Sequence, residues 1–199
     1  MICGLVLAAG ESRRMGQPKL LLPYEGKSII ETVLATVKKS KLKRSYVVIR
    51  PEDNFIPPIA QTLGLEVIIN PEPAKGMLSS VIIGLEKMPE ETEAIVLVLG
   101  DQPGISASII DLLIVGYRLK GKGLVLPIFQ GKRGHPVLID LKYRQEIRSC
   151  PPDLGLRYLI HLHPEDILEI SVNEPAVVMD VDTAEDYLRH LEGLKIKKS

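Results

Sequence analysis

Tryptophan is absent from the 199 residues, aromatic residues make up only 4%, and the formal net charge is zero, with 25 Lys and Arg against 25 Asp and Glu. So few aromatics argue against a stacking platform for single-stranded nucleic acid. A balanced chain has no overall field to draw it onto nucleic acid or an acidic membrane, so neither is expected as a partner. Cysteine is scarce. Cys3 sits in an apolar run, Cys150 precedes Pro151-Pro152, and neither has metal-ligand spacing. Two cysteines in a chain of this size do not make a disulfide scaffold, and a reducing cytoplasm is the compartment that fits. Long apolar runs are missing too. The opening MICGLVLAAG has no basic segment before it and is too short to span a bilayer, so a buried strand is expected there.

What is present suits one globular domain over residues 1–199: hydrophobic residues make up 45% and charged residues 25%. Short apolar runs alternate with helix-period segments. Strands are expected at 2–8, 45–49, 66–69, 94–99, 123–126, 135–139, 167–172 and 176–179. Helices are expected at 28–39, 58–63, 76–87, 106–119, 141–149, 154–161 and 183–194. Ser28 with Glu31 three residues later reads as a capping box, and Thr183 as the cap of the last helix. Strand–helix alternation predicts an α/β fold in three layers: a Rossmann-like, mostly parallel sheet with helices on both faces. In such sheets ligands bind beyond the carboxyl ends of the strands.

The unusual residues fall at those ends. Leu7-Ala8-Ala9-Gly10 closes the first strand, and Glu11-Ser12-Arg13-Arg14-Met15-Gly16-Gln17-Pro18-Lys19 follows. Small residues let backbone N–H groups approach anionic oxygens, and Arg and Lys supply charge where phosphates sit. Gly10 and Gly16 are wrongly spaced for a Walker A loop or a G-x-G-x-x-G fingerprint. The plain alternative is a solvated basic loop. Gly100-Asp101-Gln102-Pro103 follows the most strand-like run, where Asp101 is placed either to hold a cation or to serve as a turn residue. Asn70-Pro71 is followed by Gly76-Met77-Leu78-Ser79-Ser80, which opens a helix, where the serines bind a ligand or merely cap. Arg133-Gly134-His135-Pro136-Val137 holds a histidine in extended geometry before proline. Asp180-Val181-Asp182 places two carboxylates at alternating positions ahead of the last helix. His161-Leu162-His163 lacks a third ligand at zinc spacing, and the basic run Lys38–Arg44 reads as a solvated helix end.

Over the thirteen positions from Leu7 to Lys19 the pattern L-A-A-G-x-S-x-R-M-G-x-x-K resembles the signature of the nucleotidyltransferase superfamily. R-G-H-P-V is similar to the branch that includes the molybdenum cofactor cytidylyltransferases. The resemblance extends from Leu7 to Asp186. It implies that Leu7, Ala8, Ala9, Gly10, Gly76 and Ser80 line the nucleotide, and that Ser12, Arg13 and Arg14 hold its triphosphate. It implies that Lys19, with Arg14, neutralises charge at the α-phosphate, and that His135 and Gly134 meet the acceptor. It makes Asp101 and Asp182 (Asp180 in reserve) the ligands of Mg²⁺.

The implied reaction is transfer of NMP from an NTP to a small phosphorylated acceptor, with pyrophosphate leaving. Ala8-Ala9-Gly10 resembles the cytidylyl branch, so CTP and molybdopterin are the favoured pair. A molybdoenzyme would then be a transient partner receiving the product. A guanylyltransferase of the same cofactor, an enzyme acting on phospholactate or methylerythritol phosphate, and a non-catalytic cofactor carrier remain alternatives.

Overall fold

The computed structural model describes residues 1–10 and 15–197, with side chains as far as residue 193. Seven strands form one path in the order β10-β7-β9-β6-β1-β4-β5, and β8 pairs with β7. These are β1 (Ile2–Leu7), β4 (Arg44–Ile49), β5 (Glu66–Ile69), β6 (Ala94–Leu99), β7 (Leu124–Phe129), β8 (Lys132–Arg133), β9 (Val137–Asp140) and β10 (Ile167–Ser171). A separate hairpin joins β2 (Pro23–Tyr24) to β3 (Lys27–Ser28).

The central strands are apolar on both faces because both faces are covered. In β6, Ala94, Val96 and Val98 enter one core with Ile2 and Val6 of β1, while Ile95 and Leu97 enter a second core with Cys3 and Leu5. The period of two therefore divides each strand between two apolar layers. Helices α1 (Ile29–Lys39), α2 (Ile56–Leu63) and α4 (Ala107–Lys120) cover the first, and α3 (Met77–Lys87), α5 (Arg144–Ser149) and α6 (Leu156–Leu162) the second. Helix α1 shows why: Ile29, Ile30, Val33, Leu34 and Val37 recur on one face, and all are buried. Each such side chain contributes about 1.5–3 kcal/mol of apolar transfer. Its start is set by Ser28 Oγ, which accepts from Glu31 N at 3.2 Å. The last helix, α7 (Ala184–Lys197), opens with a reciprocal box: Asp186 N donates to Thr183 Oγ1 at 3.1 Å, and Thr183 N donates to Asp186 Oδ2 at 2.8 Å.

Strands β5, β4, β1 and β6 run parallel, as do β7 and β10, but β9 lies antiparallel between β6 and β7. The reversal begins at a two-residue turn, Gln130-Gly131, with φ of 49° and 77° at its two centres. A turn with positive φ at both positions matches the twist of a hairpin. The sheet is thus parallel on either flank of an antiparallel insert. One expected strand is overturned: residues 176–179 form a 3₁₀ turn, Pro175–Val178. Pro175 starts the turn, and Ala176 and Val177 are buried against Ile105 and Ile109 through side-chain contact rather than a ladder. The strand expected from His135 begins at Val137 instead. Among the described residues no helix is long and apolar enough to cross a membrane.

Candidate active site

The carboxyl ends of β1 and β6, the start of α3 and the segment before α7 converge on a cleft of about 550 Å³. That lies within the range of small-ligand pockets. Backbone bonds bind these segments together. Gly100 N donates to Leu7 O at 2.9 Å, fixing the end of β6 to the end of β1, and Val181 N donates to Asp101 O at 3.0 Å. Asp101 and the pair Asp180/Asp182 are therefore delivered to one place from parts of the chain far apart in sequence.

Lys19 stands at their centre. It opens a 3₁₀ turn, Lys19–Leu21, whose next residue, Leu20, is anchored in the first core. Its Nζ donates to Asp101 Oδ2 at 2.6 Å and to Asp182 Oδ1 at 2.8 Å. Burial opposes the ammonium, but the Asp101 and then the Asp182 carboxylates overcome it and hold the Lys19 pKa above its usual value. Asp180 lines the same cleft, and burial followed by the Asp182 charge pushes its pKa up. Among the described residues, Asp101, Asp180 and Asp182 lie around the Lys19 ammonium.

The donors suit a hard divalent cation. Asp101 Oδ1 is buried with no hydrogen-bond partner. Mg²⁺ needs only one or two protein carboxylates and fills its shell with phosphate oxygens and water. Among the described residues no three of His, Cys, Asp and Glu surround a cation on their own.

The other wall is built around Asn70, which is 1% exposed. Its Nδ2 donates to Ser79 Oγ and to Ser80 Oγ, each at 2.9 Å, while its Oδ1 accepts from Glu72 N at 3.0 Å. The two serines divide their work. Ser79 Oγ donates back to Gly76 O at 2.8 Å, a structural bond of the helix start. Ser80 lines the cleft, where its Oγ accepts from Asn70. Gly76, also on the wall, has φ 89° and ψ −177°, a region essentially closed to residues with a Cβ. Leu7, Ala8, Ala9 and Gly10 complete the lining with Leu20, Leu99, Pro73, Ala74 and Met77. Asn70 heads the same constellation in the sequence, but its bonding to both serines required the fold.

Ser12, Arg13 and Arg14 lie outside the described residues. Gly134 and His135 are not on the cleft wall. A Cβ on Gly134 would stand 2.2 Å from the Val177 carbonyl oxygen, and that same oxygen accepts from His135 N at 2.8 Å. Glycine is therefore required there for close backbone approach. Gly134→Ala is expected to lower stability by about 1–3 kcal/mol through overpacking, read as the urea midpoint, and an unchanged midpoint would remove the constraint. Burial pushes the His135 imidazole below its usual pKa, with the Asp101 charge acting in the opposite direction. His163 pairs with Glu146 at 2.6 Å and its ring lies over Tyr143 at 4.5 Å, while His161 is exposed. The basic residues of 38–44 are all exposed.

The description "MobA-like NTP transferase domain" matches residues 4–167. The chain is 26% identical over 184 residues to the molybdenum cofactor cytidylyltransferase of Escherichia coli (strain K12), covering 92% of each. It is 28% identical over 198 residues to the nicotine blue oxidoreductase of Paenarthrobacter nicotinovorans, covering 96% of each. Among solved structures, the manganese complex of Rv0371C from Mycobacterium tuberculosis H37Rv superposes with a TM-score of 0.80 at 26% identity, over 96% of this chain and 98% of that one. The fold, the cleft at its strand ends and these likenesses agree, and the chain belongs to the MobA-like NTP transferase family as a nucleotidyltransferase.

Proposed function

We propose that residues 1–199 act as one cytoplasmic domain that transfers CMP from CTP to the phosphate of molybdopterin and releases pyrophosphate. The observation that carries this reading is the Lys19 ammonium held within 2.8 Å of both Asp101 and Asp182 at the mouth of β1 and β6. A charged lysine and a carboxylate set at strand ends suit phosphate chemistry, where catalysis is positioning and charge neutralisation. The acceptor phosphate is already an anionic nucleophile. One of its oxygens bonds to the α-phosphorus as the bond to the β-phosphate oxygen breaks, and no covalent enzyme intermediate is needed.

Asp101 and Asp182 would hold Mg²⁺, with Asp180 beside them. A cation bound there neutralises phosphate oxygens and reduces repulsion between substrate and nucleophile. A mycobacterial relative was solved as a manganese complex, which supports the use of a divalent ion. Lys19 then donates to the α-phosphate oxygens, where negative charge grows. Ser12, Arg13 and Arg14 would hold the β- and γ-phosphates. Ala8, Ala9, Gly10, Gly76 and Ser80 would enclose the base, and His135, outside the cleft lining but near enough to feel the Asp101 charge, would meet the acceptor at the edge of the cleft. The oxidoreductase name among the relatives belongs to that protein. The lysine–carboxylate cluster favours nucleotidyl transfer for this chain.

The test is pyrophosphate release with Mg²⁺ and each of CTP, GTP, ATP and UTP, with and without molybdopterin. Release that requires both CTP and molybdopterin supports the reading, while release with GTP alone gives the guanylyl alternative. No release from a folded protein that binds CTP points to a different acceptor or to the carrier. Base choice has its own prediction. Ala9 is 6% exposed and lines the cleft, and its methyl group would narrow the base pocket in favour of a pyrimidine. Ala9→Gly is expected to raise the GTP-to-CTP ratio of kcat/KM, by roughly tenfold on the scale of one methyl group in a pocket. An unchanged ratio would exclude steric selection at Ala9.

A further inference from the structure

Helix α4 is apolar on its outward face as well as its inward one. Ile109, Ile110 and Leu113 are buried, and Ile114 and Tyr117 pack on the first core. Yet Leu112, Val115 and Leu119 on the opposite side are 39%, 42% and 75% exposed. The exposed positions of α1, by contrast, are Lys38 and Lys39. A helix with apolar residues on both faces is normally covered on both, and an exposed apolar stripe beside charged residues marks an interaction surface.

The stripe has the spacing of a helix-pairing seam. Leu112, Val115 and Leu119 stand three and then four residues apart, the a and d spacing at which two helices interlock. Its two flanks differ. On one stand Asp111 and Arg118, an acid toward the start of the helix and a base toward its end, about two turns apart. On the other stands Gly116, where a Cβ would come 2.7 Å from Ile170 Cδ1 of β10, so the sheet closes that flank. A two-fold axis at Val115 turns one helix end for end and brings the same flank of both copies together. Asp111 of each copy then meets Arg118 of the other, twice over. Parallel helices would set each charged flank against Gly116 and pair nothing. Arg118 also bonds Glu93, and Asp111 Oδ1 accepts from Lys41 N at 2.7 Å. Each of these surface contacts uses one polar atom of the side chain and leaves another for a partner.

We propose that α4 docks a second copy of this chain, antiparallel about a two-fold axis at Val115, with Leu112, Val115 and Leu119 as the seam and Asp111 paired with Arg118 across it. One helix per copy is a small interface, so the dimer is weak and forms as concentration rises. Helix α4 begins just past the Asp101 loop, at the cleft end of the sheet. Antiparallel helices therefore direct the two clefts to opposite ends and leave both open.

The experiment is sedimentation velocity on the full chain from roughly 1 to 200 μM, a range that spans the affinities of small interfaces. It compares wild type, Leu119→Lys, Asp111→Arg and Arg118→Asp, with thermal midpoints to confirm folding. Wild type is expected to shift from monomer to dimer across the range. Leu119→Lys, at an exposed position, should keep its midpoint and weaken the dimer by roughly a hundredfold, since two leucines leave the seam. Each charge variant alone sets like charges together in both pairs and should weaken it by roughly tenfold. An equimolar mixture of Asp111→Arg and Arg118→Asp should dimerise like wild type, because every pair in the mixed dimer again joins an acid to a base. Should either single variant fail to fold, the double variant Asp111→Arg/Arg118→Asp exchanges the signs and should also dimerise like wild type. A wild type that stays monomeric throughout overturns the proposal, as does a dimer that survives Leu119→Lys. A mixture, or a folded double variant, that dimerises no better than the single variants overturns the antiparallel pairing and the proposal with it.

Discussion

Lys19→Ala is expected to lower kcat by about 10²–10³, a loss of about 2.7–4 kcal/mol of transition-state stabilisation, by analogy with removal of one oxyanion-hole donor. The ammonium is nearly buried, and two carboxylates hold it to one position. It therefore needs little reorganisation as charge develops, which is where such donors gain most. KM for the nucleotide should change much less than kcat if the lysine acts on the transition state rather than on binding. Turnover within a few-fold of wild type would remove Lys19 from the chemistry. A rise in KM with kcat unchanged would make it a ground-state binder.

The second large effect is expected from Asp101→Asn. The substitution keeps the shape of the side chain and removes its charge at the carboxyl end of β6, where Asp101 Oδ1 has no protein partner. Two contributions are lost together: a cation ligand and half of the anchoring of Lys19. Several kcal/mol of transition-state stabilisation should follow, the scale of metal-ion charge stabilisation. A readout free of turnover goes with it. A cation that binds only the folded chain at a hundred times its Kd adds about 2.7 kcal/mol. For a chain of this size that raises Tm by roughly 5–10 °C. Wild type should show this rise with Mg²⁺ or Mn²⁺, and Asp101→Asn should lose most of it. An equal rise in both would place the cation elsewhere.

Much of this cleft was legible in the sequence, for reasons particular residues make plain. The run Ile2–Leu7 is apolar without alternation because it is buried on both faces, and that pattern alone identifies a central strand. The ligand end of such a strand follows from the fold class. Ala8, Ala9, Gly10, Lys19, Gly76, Ser80, Asp101 and Asp182, all singled out from sequence, stand together in the cleft wall. Strand–helix alternation gave the mostly parallel sheet, but the reversal of β9 was not legible, because hydropathy is the same read either way. The chain reverses at the positive-φ turn Gln130-Gly131 between β7 and β8, and β9 follows in the reversed direction. The apolar residues 176–179 were misassigned because a buried turn and a buried strand look alike over so few positions, and Pro175 decides for the turn. The supporting role of Asn70 was not legible, because what matters is its bonding to Ser80 ten residues away, and no local pattern encodes that.

The central claim is that this cleft moves a nucleotidyl group, and the most direct test follows the phosphorus. The protein is incubated with Mg²⁺, molybdopterin and CTP radiolabelled at either the α- or the γ-phosphate. The account predicts that α-label appears in the acceptor product while γ-label appears only in pyrophosphate. Transfer of γ-label to the acceptor, or no α-label in product from a protein that binds both CTP and Mn²⁺, would contradict it.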